Sequence, residues 1–141
     1  MDLHKFDTMA REERGAFLHL RAPNGALLYT DPDGGLDPVP IGITVLGPNS
    51  KQMRAVEHRQ QNARLSKVKI RRSGVKGLSA EQAEQDATEY LAAACYEFHS
   101  ITVDGTLWQA VRAQELLERF PWIRSQLDEF MGEEANFLGE D

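Results

Sequence analysis

Cysteine is nearly missing from this chain. Cys95 is the one instance in 141 residues, so no internal disulfide can form. No apolar run approaches the roughly 18 residues that a membrane-crossing helix needs. The first residues, Met1-Asp2-Leu3-His4-Lys5, lack the apolar stretch of a signal peptide. Together these absences lead to the expectation of a cytoplasmic protein that does not engage a membrane. Catalytic signatures are missing as well. There is no Gly-x-Ser-x-Gly, and no Ser-x-x-Lys in a catalytic context. Nor are there internal repeats, sustained heptads or a domain linker. The expectation is a non-enzyme that needs no cofactor and no metal.

What is present has the composition of an ordinary globular protein, with 41% hydrophobic and 27% charged residues. The length fits one domain, 1–141. Net charge is −6, which argues against a generic nucleic-acid binder. The charge is unevenly spread. Residues 51–76 carry nine Lys or Arg against one acid, Glu57, a local charge of +8. The seven basic and 21 acidic residues elsewhere leave −14. Such an arm can pair with the body, with another copy or with an acidic partner.

The patterning predicts an α+β fold: a small N-terminal antiparallel β-sheet of about three strands, followed by a mostly α-helical C-terminal part. Residues 1–14 read as a flexible lead-in, 16–46 as β-rich, 49–138 as mainly helical and 139–141 as an acidic tail. Ala16–Leu20 and Ala26–Thr30 read as strands around the hairpin signal Pro23-Asn24-Gly25. Pro40–Leu46 reads as a third, with Ile41, Ile43 and Val45 on one side. Asn49 or Ser50 can cap a helix running to about Lys69, with a narrow apolar stripe of Met53, Val56 and Ala63. Residues 71–78 contain Gly74 and Gly77 and read as a mobile basic loop. Ser79-Ala80-Glu81-Gln82 is a capping-box pattern. The helix behind it places Ala83, Ala87, Tyr90, Leu91, Ala94 and Phe98 on one face. Residues 100–103 read as a short extended piece closed by the Asp104-Gly105 turn. Thr106-Leu107-Trp108-Gln109 is a second capping-box pattern, opening a helix to about Arg119 with Leu107, Val111, Leu116, Leu117 and Phe120 apolar. Pro121 suits the first position of a further helix bearing Ile123, Leu127, Phe130 and Met131.

Several constellations invite chemistry and fail in detail. A calcium loop begun at Asp31 would place Gly42 where a bidentate Glu is required. Cys95 and His99, four apart on a helix, supply two metal ligands where zinc wants three or four, and His4, His19 and His58 follow no motif spacing. Gly47-Pro48-Asn49-Ser50-Lys51 lacks the second glycine and the Gly-Lys-Ser/Thr ending of a phosphate loop. Glu133 and Glu134 sit among polar residues and serve solubility rather than acid–base work. The basic stretch holds no aromatic residue for base stacking. A solvated helix face is its default reading, a protein-interaction arm the next, and a phosphate contact the third. Trp122, Phe130 and Phe137 are core residues by default, and large aromatics also anchor interfaces.

The order of these elements resembles that of the tail assembly chaperones of long-tailed bacteriophages. The resemblance rests on Gly47-Pro48-Asn49-Ser50 followed by Arg54-Ala55 and His58-Arg59-Gln60-Gln61. It continues through Leu91-Ala92-Ala93-Ala94-Cys95 and the Asp104-Gly105 turn. It ends on Ala113-Gln114-Glu115-Leu116-Leu117, Pro121-Trp122-Ile123-Arg124-Ser125-Gln126-Leu127-Asp128 and Asn136-Phe137-Leu138. It spans roughly residues 16–138, and Leu107-Trp108 departs from the more polar lead expected after the turn. The resemblance implies a non-enzymatic protein that works in the host cytoplasm during phage assembly and is absent from the finished virion. Its client would be the tape measure protein, with the major tail protein as a further partner and with self-association. The residues expected to meet a partner are the stripe Trp122, Leu127, Phe130 and Phe137, and the basic residues Lys69, Arg71 and Arg72. A small nucleic-acid-binding regulator using residues 51–76 and a structural tail completion protein are the alternatives.

Overall fold

The computed structural model describes residues 2–3, 7–31, 37–70 and 79–138, without the side chains of 67–70. The chain is α+β. A short helix α1 (Met9–Arg14) leads into β1 (Ala16–His19), and β2 (Gly42–Val45) follows. Two long helices come next, α2 (Lys51–Ile70) and α3 (Ala80–Ala94), then β3 (Cys95–His99). A two-stranded hairpin, β4 (Thr102–Val103) and β5 (Thr106–Leu107), precedes α4 (Ala113–Arg119) and α5 (Pro121–Met131). Short 3-10 turns at Ala110–Arg112 and Glu134–Phe137 complete the described chain.

The main sheet is antiparallel in the order β1-β2-β3. Its third strand comes from mid-chain, not from the N-terminal region where all three were expected. The helix expected to carry on through Phe98 stops at Ala94. Residues 95–99 alternate instead: Cys95 and Phe98 face the core and His99 lies opposite Gly42. A bulge between Thr44 and Val45 absorbs Tyr96, which stays exposed. Tertiary pairing with β2 thus outweighs the helical pattern, because the aromatic side chains of 96–99 fit a pleated surface well.

Residues 26–30 form no regular strand. The hairpin does turn at Asn24-Gly25, with Gly25 at φ 91°. Its return limb meets two neighbours at once. Leu20 N–H donates to Ile41 O, Ile41 N–H to Leu28 O, and Leu28 N–H to Leu20 O, each at 3.0 Å. This closed ring of three bonds satisfies six backbone groups where two segments converge on β1, and leaves only isolated bridges at Arg21–Leu27 and Tyr29–Pro40.

The core packs the inner face of the sheet against the helices. Leu20, Ile43, Val45, Met53, Leu116, Leu117, Leu127 and Phe137 are the largest fully buried apolar side chains among the described residues. Among its described side chains α2 buries Met53 and Val56, and residues 61–66 are exposed. Ser50 is its cap: its Oγ accepts from Met53 N–H at 3.2 Å and donates to Gly47 O at 2.7 Å. Ser79 Oγ likewise accepts from Gln82 N–H, but the Gln82 side chain turns to Asp86 and the expected box is only half made. Ala83 and Ala87 are exposed, and Thr88 takes the buried position instead, bonded to Arg124 Nε at 3.0 Å.

Thr106 opens no helix. Asp104 and Gly105 both take positive φ, 53° and 80°, and close the β4–β5 hairpin. That hairpin consumes Thr106 and Leu107, Trp108 enters the core, and α4 begins only at Ala113. Leu107 and Val111, expected on its buried stripe, are 56% and 91% exposed. Pro121 does occupy the first turn of α5.

The lead-in is also more ordered than its polar sequence implies. Glu12 of α1 is 2% exposed. Its carboxylate accepts from Thr8 Oγ1 at 2.6 Å and from Asn49 N–H at 3.0 Å, and its carbonyl accepts from Gly47 N–H at 2.9 Å. A Cβ on Gly47 would lie 2.1 Å from Glu12 Cγ, so the glycine makes room for this contact. Glu12→Ala is expected to lower stability by about 1–3 kcal/mol, since it strands a part-buried N–H at the entry to α2. Urea denaturation checks this, with the neighbouring Glu13→Ala, whose side chain makes no such bond, as the near-neutral comparison.

Candidate protein-interaction surface

The outer face of the sheet is built by alternation. Even-numbered residues of β1 point inward, and Phe17 and His19 point out. Thr44 and Gly42 hold the middle, and His99 stands on β3. Gly42 leaves a hollow that the Phe17 ring fills: a Cβ there would lie 2.6 Å from Phe17 Cζ. The ring meets His99 edge-on at 5.3 Å between centroids, and His19 meets Tyr29 edge-on at 4.8 Å. Both imidazoles are held in place. His19 Nε2 bonds Leu28 O, and His99 Nε2 bonds Thr44 Oγ1, each at 2.7 Å. Phe17 is 44% and Tyr29 48% exposed. A preformed aromatic face of this kind offers a partner large, stiff contact area at low entropic cost.

Half of the C-terminal stripe expected to meet a partner is not at the surface. Leu127 and Phe137 are buried in the core, and neither presents a face to a partner. The cause is the 3-10 turn at Glu134–Phe137, which folds the chain back so that Phe137 stacks edge-on against Phe130 at 5.7 Å. Trp122 and Phe130 are half-buried against the core. They keep part of their surface outside, with Trp122 beside Phe120 at 6.1 Å. Of the basic residues expected to act, Arg71 and Arg72 lie outside the described residues, as does the whole segment 71–78 expected as a loop. Lys69 is placed by its backbone in the last turn of α2. Two other cations of that stretch are engaged within the chain: Arg59 with Glu89 at 2.9 Å and Arg64 with Asp86 at 3.2 Å, both on α3. The first pair is exposed and of modest strength, the second has a largely covered Asp86, and together they turn part of the basic face toward the acidic body.

Cys95 and His99 do not form the helical i, i+4 pair. On a strand they stand about 13 Å apart along the chain, and they face opposite sides of the sheet. Among the described residues no three His, Cys, Asp or Glu side chains gather where a metal would sit. Burial pushes the Cys95 thiol up to about 12. A thiol so protonated is a packing group, not a nucleophile. The described helices include none long and apolar enough to cross a membrane.

Gln126 is a residue whose role the linear pattern did not disclose. Its side-chain amide accepts from Arg21 N–H at 2.8 Å and donates to Arg21 O at 2.7 Å, tying α5 to the sheet across 105 residues of sequence. The aromatic face was overlooked too, although the alternation Phe17, His19, Arg21 carried its signal. The chain matches no family model, no curated protein and no solved structure.

Two outcomes follow from this geometry. Leu127→Ala should cost about 2–5 kcal/mol in urea denaturation, and Phe17→Ala less than about 1.5 kcal/mol, because only the first opens a cavity in the core. The raised Cys95 pKa adds a pH dependence. The folded state favours the protonated thiol, so its contribution is complete below the unfolded value near 8.5 and is lost as pH rises toward about 12. Stability measured across that window should fall less steeply in Cys95→Ala than in the parent chain.

Proposed function

We propose that this chain is a protein-binding assembly factor of the phage tail assembly chaperone type. It holds the tape measure protein soluble and helps recruit tail tube subunits while the tail is built in the host cytoplasm. The observation that carries the reading is the outer face of the sheet, where Phe17, His19, Tyr29 and His99 form an ordered and partly exposed aromatic surface. A chaperone for a long, aggregation-prone client needs apolar contact of modest strength together with charge that keeps the complex dissolved. The net charge of −6 supplies the second requirement. The ordered set of sequence features from Gly47-Pro48-Asn49-Ser50 to Asn136-Phe137-Leu138 favours this client over others. The client contact is accordingly assigned to the sheet face, with Trp122 and Phe130 as flanking contributors, rather than to Leu127 and Phe137.

The test is co-expression with a tape measure protein encoded beside this chain. The client is expected to become soluble and to co-elute. The paired substitution Phe17→Ala with Tyr29→Ala should reduce the co-eluting client severalfold while leaving the circular dichroism spectrum of this chain unchanged. A client that stays insoluble, with nothing co-eluting, refutes the assignment.

A further inference from the structure

β1 is an edge strand, and its outward backbone is only partly used. Leu20 N–H bonds Ile41 O, and the β1–β2 register runs without a shift from Ala16–Val45 to His19–Gly42. In an antiparallel ladder the groups that face a given neighbour alternate along the strand. The backbone groups of Ala16, Leu18 and Leu20 therefore face β2, and those of Phe17, His19 and Arg21 face outward. Arg21 is satisfied by the Gln126 amide, which presents one acceptor and one donor as a neighbouring strand would. Among the described residues nothing takes the outward N–H and C=O of Phe17 or His19.

Beside this edge lies a groove of about 380 Å³, lined on its far side by Gln126, Glu129, Phe130 and Glu133. Its lining is mostly polar, with Phe130 a half-buried apolar residue in it and Glu129 and Glu133 as carboxylates. Glu129 and Glu133 are exposed and pair with no cation among the described residues. Arg21 lines the same groove with its guanidinium bonded to Gly25 O at 3.1 Å, so one cation faces two carboxylates and the groove keeps a net negative charge.

We propose that the outer edge of β1 is a strand-addition site, at which an extended basic and apolar segment of a partner protein pairs its backbone with Phe17 and His19. The free edge supplies main-chain hydrogen bonds, Phe130 receives an apolar side chain, and Glu129 and Glu133 receive Lys or Arg. Gln126 sets the end of the site, since beyond it the edge is already occupied. The site concerns the edge of the strand rather than the aromatic face, and it stands whatever the identity of the client bound there.

The experiment titrates the isotope-labelled full chain with the synthetic peptide Thr-Val-Lys-Val-Lys-Val-Thr, capped at both ends. Binding should shift the amide resonances of Phe17 and His19. Two further peptides carry N-methyl groups on one or the other set of alternate amides. One pattern removes the donors that face β1 and should weaken binding by roughly tenfold, and the other should bind nearly as the parent does. Glu129→Lys with Glu133→Lys, both at exposed positions, should reverse the preference toward the peptide with Glu in place of Lys. Equal loss, or no loss, from both methylation patterns would mean side-chain capture without strand pairing and would overturn the proposal. So would the absence of any shift, or a homodimer through this edge that the peptide dissolves, which would assign the edge to a second copy.

Discussion

Three backbone hydrogen bonds, linking Leu20, Ile41 and Leu28 in a closed ring, hold this fold's most demanding junction. Two segments must reach one strand end there: the return limb of the Asn24-Gly25 hairpin and the lead into β2. Without the ring, six buried or half-buried peptide groups would lose their partners. That loss is costly, because an unpaired polar group in the interior forfeits its hydration without compensation. The ring also fixes where Leu20 enters the core and where Leu28 O meets His19. The register of the sheet follows from it, and with the register the separation of an inner apolar face from an outer aromatic one.

A second constraint sits at the opposite end of β2. The chain leaves that strand at Leu46 and Gly47, where α1 folds over it through Glu12. An acid in that place is stable because two donors meet its carboxylate, and because Gly47 has no side chain to collide with it. Ser50 then starts α2. The beginning of a helix that, among its described side chains, buries Met53 and Val56 alone is thereby secured by polar contacts more than by packing. The distal half of α2, with its basic residues, reaches past the core and is tied back by Arg59 and Arg64 to α3.

These two constraints bear directly on where a partner can bind. Of the C-terminal residues that most resembled an interface, Leu127 and Phe137 are used in the core, with Phe137 folded onto Phe130, while Trp122 and Phe130 stay half-buried. Among the described residues the sheet face and the β1 edge are further exposed surfaces. They present different chemistry, one aromatic and imidazole-rich, the other a row of backbone donors and acceptors beside two carboxylates. β1 contributes to both, with Phe17 and His19 on the face and their backbone groups along the edge.

Local sequence determined much of this protein, wherever one residue type carries its own conformational instruction. Asn24-Gly25 and Asp104-Gly105 turn the chain because those residues take positive φ at little cost. Ser50 and Ser79 start helices because their hydroxyls reach a free N–H, and Pro121 opens α5 because its φ is already helical. The α+β class and the inward side of β2 were legible from the period of the apolar residues. Tertiary structure decided what depends on a distant partner. Cys95–His99 became a strand because β2 had an open edge to pair with. Thr106 entered a hairpin rather than a helix cap, and Glu12 became buried because Gly47 and Asn49 were there to receive it. Likewise the 3-10 turn at Glu134–Phe137, which sets Phe137 against Phe130, buried Phe137 and left Phe130 half-buried. Local propensities are worth tenths of a kcal/mol to about 1 kcal/mol per residue, and pairing or burial supplied from elsewhere in the chain outweighs them.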